Sequence, residues 1–76
     1  MKDLMEVIVK NLVLNQDEID IVQEEDENTI TLKLKVAKED IGKIIGKNGK
    51  VIRSIRTVIK AGAFNTKKRI AVEIIE

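Results

Sequence analysis

The chain has 76 residues and a formal net charge of +1; 43% of its residues are apolar and 36% charged, with no cysteine, histidine or proline and one aromatic residue. That length suits one small domain, with a stability of about 4–11 kcal/mol at the usual yield per residue. Without cysteine there is no disulfide, thiolate nucleophile or cysteine-ligated metal, and without histidine the commonest general base and metal ligand is gone, so the chain can build a core but has few tools for catalysis.

Leu4, Met5, Ile8, Leu12 and Val13 recur at helical spacing, so Lys2 to Leu14 reads as an amphipathic helix ended by Asn15-Gln16-Asp17. Ile19 and Ile21 alternate with Glu18 and Asp20 and predict a short strand running towards Glu24. Glu25-Asp26-Glu27-Asn28 is a charged break suited to a hairpin tip, and it lacks the spaced oxygen ligands and turn glycine of a calcium loop. Ile30, Leu32, Leu34 and Val36 then alternate with Thr31, Lys33 and Lys35, the clearest strand of the chain. Ile41, Ile44 and Ile45 return to helical spacing behind Lys38-Glu39-Asp40, whose two acids suit the positive end of a helix dipole. Gly46-Lys47-Asn48-Gly49 stops that short helix. A longer one follows from about Lys50 to Ala63, with Val51, Ile52, Ile55, Val58, Ile59 and Gly62 on one face and Arg53, Arg56 and Lys60 on the other. Phe64 to Lys68 is a connection, and Arg69 to Ile75 alternates again through Ile70, Val72 and Ile74. Three strands with one apolar face each, and three helices to cover that face, predict an α+β two-layer sandwich in the order α-β-β-α-α-β.

Charge is separated along this order. Met1 to Glu27 holds two lysines against nine acids, a balance of −7, and Asn28 to Glu76 holds twelve basic residues against four acids, +8. Between Ile41 and Val72 there is no acid at all, while nine lysines and arginines fall in the interval. Such a distribution attracts a polyanion on one side and repels it on the other. No segment reads as a targeting or membrane-spanning stretch, so a cytoplasmic protein without a membrane partner is expected.

The stretch from Ile41 to Ile52 carries the chemistry. Two glycines three apart, Gly46 and Gly49, make a turn without bulk between two helices and let a sugar–phosphate backbone come close to the main chain. The N–H groups opening the next helix are a ready anion site, and Lys47 and Lys50 add mobile charge beside them. A Walker A loop is excluded by spacing, because Gly42 and Gly46 have three residues between them and Asn48 stands where a hydroxyl is needed. Gly-x-x-Gly alone is often only a turn. Isoleucines at helical spacing serve a core at least as readily as a binding groove.

Ile45-Gly46-Lys47-Asn48-Gly49-Lys50-Val51-Ile52 resembles the Ile-Gly-x-x-Gly-x-x-Ile mark of KH domains, and the element order is similar to the prokaryotic type II arrangement. The length and helical N-terminus look like the small bacterial KhpA family, with residues 1–76 as a single KH domain. The resemblance implies a cytoplasmic RNA-binding protein, often described as an RNA chaperone and linked to cell-shape and envelope control. Such a protein pairs with itself or with a larger KhpB/Jag-type KH partner. Val58, at one edge of the last helix's apolar stripe, is a candidate for a pairing seam, with a core position as the equal alternative. Carried onto this chain, Gly46 to Gly49 would clamp the backbone of about four nucleotides of single-stranded RNA. Lys47 and Asn48 would meet phosphates, Ile41, Ile44, Ile45 and Ile52 would border a base groove, and Lys43, Lys50 and Arg53 would extend the positive field. With Phe64 the only aromatic, recognition would rest on aliphatic contacts, backbone hydrogen bonds and charge, giving little sequence preference. No catalytic residue, metal or cofactor is expected. A protein–protein adaptor using the same scaffold is the alternative. The clamp predicts that Gly46→Asp with Gly49→Asp abolishes RNA binding while unfolding stays cooperative.

Overall fold

The computed structural model describes residues 1–63 and 65–75; Phe64 and Glu76, and with Phe64 the expectation about aromatic stacking, lie outside it. The elements are α1 (Lys2–Lys10), β1 (Asp20–Glu25), β2 (Thr29–Lys35), α2 (Ile41–Ile45), α3 (Lys50–Gly62) and β3 (Arg69–Ile75). Single 3₁₀ turns at Gln16–Glu18, Lys38–Asp40 and Lys47–Gly49 punctuate them. The order is the predicted one. No helix among the described residues is long and apolar enough to cross a membrane.

The sheet runs β1-β2-β3, with β2 antiparallel to β1 and parallel to β3. A parallel neighbour requires a crossover, and α2 and α3 supply it. Ile30, Leu32 and Leu34 of β2 are buried on one face, and the register sets them against Ile70, Val72 and Ile74 of β3. These aligned rows meet Ile52, Ile55 and Ile59 of α3, Ile44 of α2, and Met5 and Val9 of α1 in one core. The other sheet face is polar, and there Lys33 pairs with Glu24 across the hairpin at 2.8 Å, which raises the Lys33 pKa by stabilising its charge. At the hairpin tip the Asp26 carboxylate accepts the N–H groups of Asn28 and Thr29 at 2.8 and 2.7 Å; those two bonds hold its pKa below the usual value.

Two expectations need correction. The first helix stops at Lys10, not Leu14. Asn11 donates its side-chain amide to the Val7 carbonyl at 2.7 Å, the local competition by which asparagine disfavours helix continuation. Val13 is still buried, whereas Leu14 is exposed. On β1 the expected alternation yields one buried residue, Ile21: Ile19 precedes the strand and is half-buried, and the later positions on the Ile21 face are the exposed Gln23 and Glu25.

Candidate nucleic-acid interface

The turn between α2 and α3 owes its shape to demands on the backbone at three of its four residues. Gly46 sits at φ 74°, ψ 174°, a region open almost only to glycine; Asn48 at φ 56°, ψ 28° and Gly49 at φ 74°, ψ 16° are both left-handed. Gly49 N–H donates to the Gly46 carbonyl at 3.1 Å and Lys50 N–H to that of Lys47, which leaves the N–H groups of Lys47 and Asn48 at the head of the turn for an outside acceptor. Asparagine is one of the few side-chain-bearing residues that tolerates the left-handed state. Its carbonyl is fixed by Arg53, whose guanidinium donates to it at 3.0 Å from the first turn of α3.

Lys47, Asn48 and Lys50 are exposed around this turn, as are Lys43 and Arg53. Lys43 lies 3.7 Å from Asp40 and Arg53 is engaged with the loop, so of these four cations around the turn Lys47 and Lys50 are the two without such a tie. Lys68, from the other basic run, is committed to Glu25 at 2.5 Å.

The four isoleucines divide. Ile41 and Ile45 are half-buried and keep surface beside the loop. Ile44 is fully buried and Ile52 is 7% exposed; both sit in the core, so the expectation that they border an open groove is corrected. Ile44 is the inward residue of the five-residue α2, and Ile52 belongs to the buried row Ile52, Ile55 and Ile59 of α3. An open groove of about 570 Å³ does exist. It lies where the ends of β2 and β3 meet α2, and it is lined by Lys35, Val36, Lys38, Ile41, Gly42 and Ile75. Gly46 N–H donates to the Gly42 carbonyl at 2.9 Å, so loop and groove are joined by a single hydrogen bond.

Two contacts matter that sequence reasoning passed over. A Cβ built on Gly46 would stand 2.3 Å from Val51 Cγ2 and 2.9 Å from the Val51 nitrogen, so the loop closes down on the start of α3 and admits no side chain there. This contact gives Gly46→Asp a steric cost to the fold itself, apart from any effect on RNA. Asp40, read as a dipole acid, is instead fully buried, with no capping bond to its own helix. Its carboxylate accepts the N–H groups of Leu14 and Asn15 at 3.2 and 3.0 Å and the Asn15 amide at 3.0 Å, pinning the α1–β1 connection to the root of α2. Burial works against its ionisation, but these three donors, with Lys43, outweigh that cost and hold its pKa below the usual range. An acid immediately before an otherwise acid-free basic stretch was the available signal.

A three-stranded mixed sheet layered by helices, with a glycine-hinged cationic turn between two of them, defines a KH-type domain. A family model described as "KhpA/KhpB, KH domain" matches residues 2–74. The chain is 52% identical to the RNA-binding protein KhpA of Clostridium acetobutylicum over 99% of this chain and 100% of that protein. It is 45% identical to the protein of the same name from Clostridium perfringens, with the same coverage. The corresponding figure for Aquifex aeolicus is 37%, over 100% of this chain and 96% of its relative. No solved structure matches the chain. The chain belongs to the KhpA/KhpB family of KH domains, and it is not an enzyme.

Proposed function

We propose that this chain binds single-stranded RNA through the Gly46–Gly49 turn, with Lys47 and Lys50 on phosphates and Ile41 and Ile45 beside the bases. The single observation that carries the reading is the turn itself. Three of its four residues, 46, 48 and 49, have positive φ, and the turn leads into an exposed helix start flanked by outward lysines. That arrangement presents bare main chain and unpaired N–H groups to an anionic strand. The relatives' printed name, RNA-binding protein KhpA, supports the same substrate class. With no exposed aromatic among the described residues, affinity rests on charge and backbone contact, so selectivity among sequences is low. An RNA-chaperone role in the cytoplasm, in support of cell-shape control, fits such broad and reversible binding.

Fluorescence anisotropy with a labelled oligoribonucleotide tests the reading. Gly49→Asp and the pair Lys47→Glu with Lys50→Glu should each remove binding while the fold is retained, because all three positions are open to solvent or have room for a side chain. Undiminished binding by folded variants would remove the turn from the mechanism.

Pairing with a second KH chain, either a copy or a KhpB-type partner, is a second reading. It is favoured by Val58 on α3 and Val7 on α1, apolar side chains left 46% and 60% exposed.

A further inference from the structure

The cationic turn carries a chemistry of its own. Residues 47–50 close with the Lys50 N–H donating to the Lys47 carbonyl, and the two central residues, Asn48 and Gly49, stand at φ 56°, ψ 28° and φ 74°, ψ 16°. Those angles lie close to a type I′ turn, whose central residues sit at about (60°, 30°) and (90°, 0°) and for which Asn-Gly is a favoured pair. The same pair is the one most open to attack on itself. Ring closure from the asparagine carboxamide carbon to the next backbone nitrogen gives a five-membered imide, and glycine puts no side chain beside that nitrogen. Of the five asparagines, Asn48 alone precedes a glycine; Asn11, Asn15, Asn28 and Asn65 precede leucine, glutamine or threonine. The side chains of Asn11 and Asn15 are tied to the Val7 carbonyl and the Asp40 carboxylate, whereas that of the exposed Asn48 has no such tie among the described residues.

We propose that the Asn48–Gly49 peptide is a self-modification site, at which the Gly49 nitrogen displaces the Asn48 side-chain amide and the turn gains an acid. The nitrogen bonds to Asn48 Cγ as the Cγ–Nδ2 bond breaks. The proton of the Gly49 N–H passes by way of water to the leaving group, which departs as ammonia. Water then opens the cyclic imide at one carbonyl or the other. The product is aspartate or, with the main chain rerouted through Cβ and Cγ, isoaspartate; water is consumed, ammonia is released and nothing is oxidised. Either product puts a negative charge between Lys47 and Lys50, where the strand's phosphates would sit. That consequence rests on the RNA-binding reading above; the chemistry does not.

The fold sets the pace. Ring closure needs the peptide between 48 and 49 turned over, to the ψ of about −120° that a type II′ turn has at the same φ. At ψ 28° the Gly49 nitrogen faces away from the Asn48 side chain. Both ends of that peptide are held in this orientation: its N–H donates to the Gly46 carbonyl at 3.1 Å, and its carbonyl accepts the Arg53 guanidinium at 3.0 Å. Arg53 is thus a clamp on the reaction, and an RNA strand that keeps the turn closed slows it further.

The test incubates the purified chain in warm, neutral buffer, with and without an oligoribonucleotide, and maps its peptides by mass spectrometry that separates aspartate from isoaspartate. Asn48 should convert ahead of the other asparagines, with isoaspartate among the products, and more slowly with RNA bound. Conversion should be about tenfold faster in Arg53→Met, the weight of one charge-assisted hydrogen bond. Asn48→Asp, which carries the product's charge on the native main chain, should stay folded and bind RNA at least about fivefold more weakly, from one like charge about 4 Å from a phosphate. Conversion at Asn48 no faster than at the other asparagines, or to aspartate alone, overturns the site, and equal rates in wild type and Arg53→Met overturn the clamp. Wild-type RNA affinity in Asn48→Asp, alongside loss in Gly49→Asp, overturns the effect on binding and leaves the loop reading intact. A wild type that binds no RNA would overturn the loop reading, and the peptide map would still decide the chemistry.

Discussion

Placing a methyl group at Gly46 and at Gly49 should have unequal consequences, although the two glycines look interchangeable in the motif. At Gly46 the φ of 74° and ψ of 174° define a glycine-only conformation, which costs any other residue about 1–3 kcal/mol. The added carbon would also stand 2.3 Å from Val51 Cγ2, 2.8 Å from Val51 Cβ and 2.9 Å from the Val51 nitrogen. Carbon contacts are comfortable only near 3.5–4.0 Å, and forcing extra bulk into a packed position costs about 1–3 kcal/mol more. At Gly49 the left-handed conformation costs about 1–2 kcal/mol. Its neighbours, Arg53 Nη1 and Ile52 Cγ2, stand at 3.8 and 3.9 Å, where a methyl fits. The totals are about 2–6 kcal/mol for Gly46→Ala and about 1–2 for Gly49→Ala, out of about 4–11 kcal/mol for a chain of this length. At about 4–8 °C per kcal/mol in a domain this size, thermal denaturation should place Gly46→Ala about 10 °C or more below Gly49→Ala. In a Val51→Ala background the Gly46→Ala penalty should shrink without vanishing, because the backbone nitrogen remains in the way. Equal melting temperatures for the two variants, or a larger loss at Gly49, would refute the steric reasoning. A practical consequence is that loss of RNA binding in a Gly46 variant does not separate ligand contact from a broken loop, whereas Gly49→Asp does.

Asp40 predicts an acid-labile step. A carboxyl whose folded pKa is lowered contributes stability that is present above its unfolded value and lost as the pH falls through the folded one. The melting temperature of the wild type should therefore drop more steeply below about pH 4 than that of Asp40→Asn, which should already be less stable at neutral pH; parallel profiles would contradict this. Arg53 should act through position as well as charge, since it holds the Asn48 carbonyl at 3.0 Å. Arg53→Lys should weaken RNA binding and speed amide exchange of residues 47–49, and wild-type behaviour in both would reduce Arg53 to a point charge. RNA affinity should fall with salt at a log–log slope near about −2, as for three phosphates on a single strand. A flat response would remove charge from the mechanism.

The layers were legible because apolar side chains in β2, β3 and α3 repeat at the period of their element: Ile30, Leu32 and Leu34 at two, Ile52, Ile55 and Ile59 at three to four. Periodicity names the inward face of an element but not its first residue, which is why Ile19 was placed in β1 although the strand begins at Asp20. It also could not divide the isoleucines of the loop region. Ile44 and Ile52 turn to the core while Ile41 and Ile45 keep some surface, a distinction set by where the sheet lies relative to α2 and α3. The glycine turn was readable as a turn; the contact of Gly46 with Val51, five residues on, needed the path of the chain. Asp40 was missed for a similar reason. Its partners, Leu14 and Asn15, are 25 or 26 residues away, and two of the three bonds run through backbone N–H groups that leave no mark in the sequence.

Amide chemical shifts followed by NMR while an oligoribonucleotide is added test the central claim most directly. Lys47, Asn48, Gly49 and Lys50 should move first and furthest, while the acidic hairpin at residues 24–28 stays still. Saturating RNA that shifts the hairpin or the outer face of α3, and leaves the amides of 46–50 where they were, would contradict it.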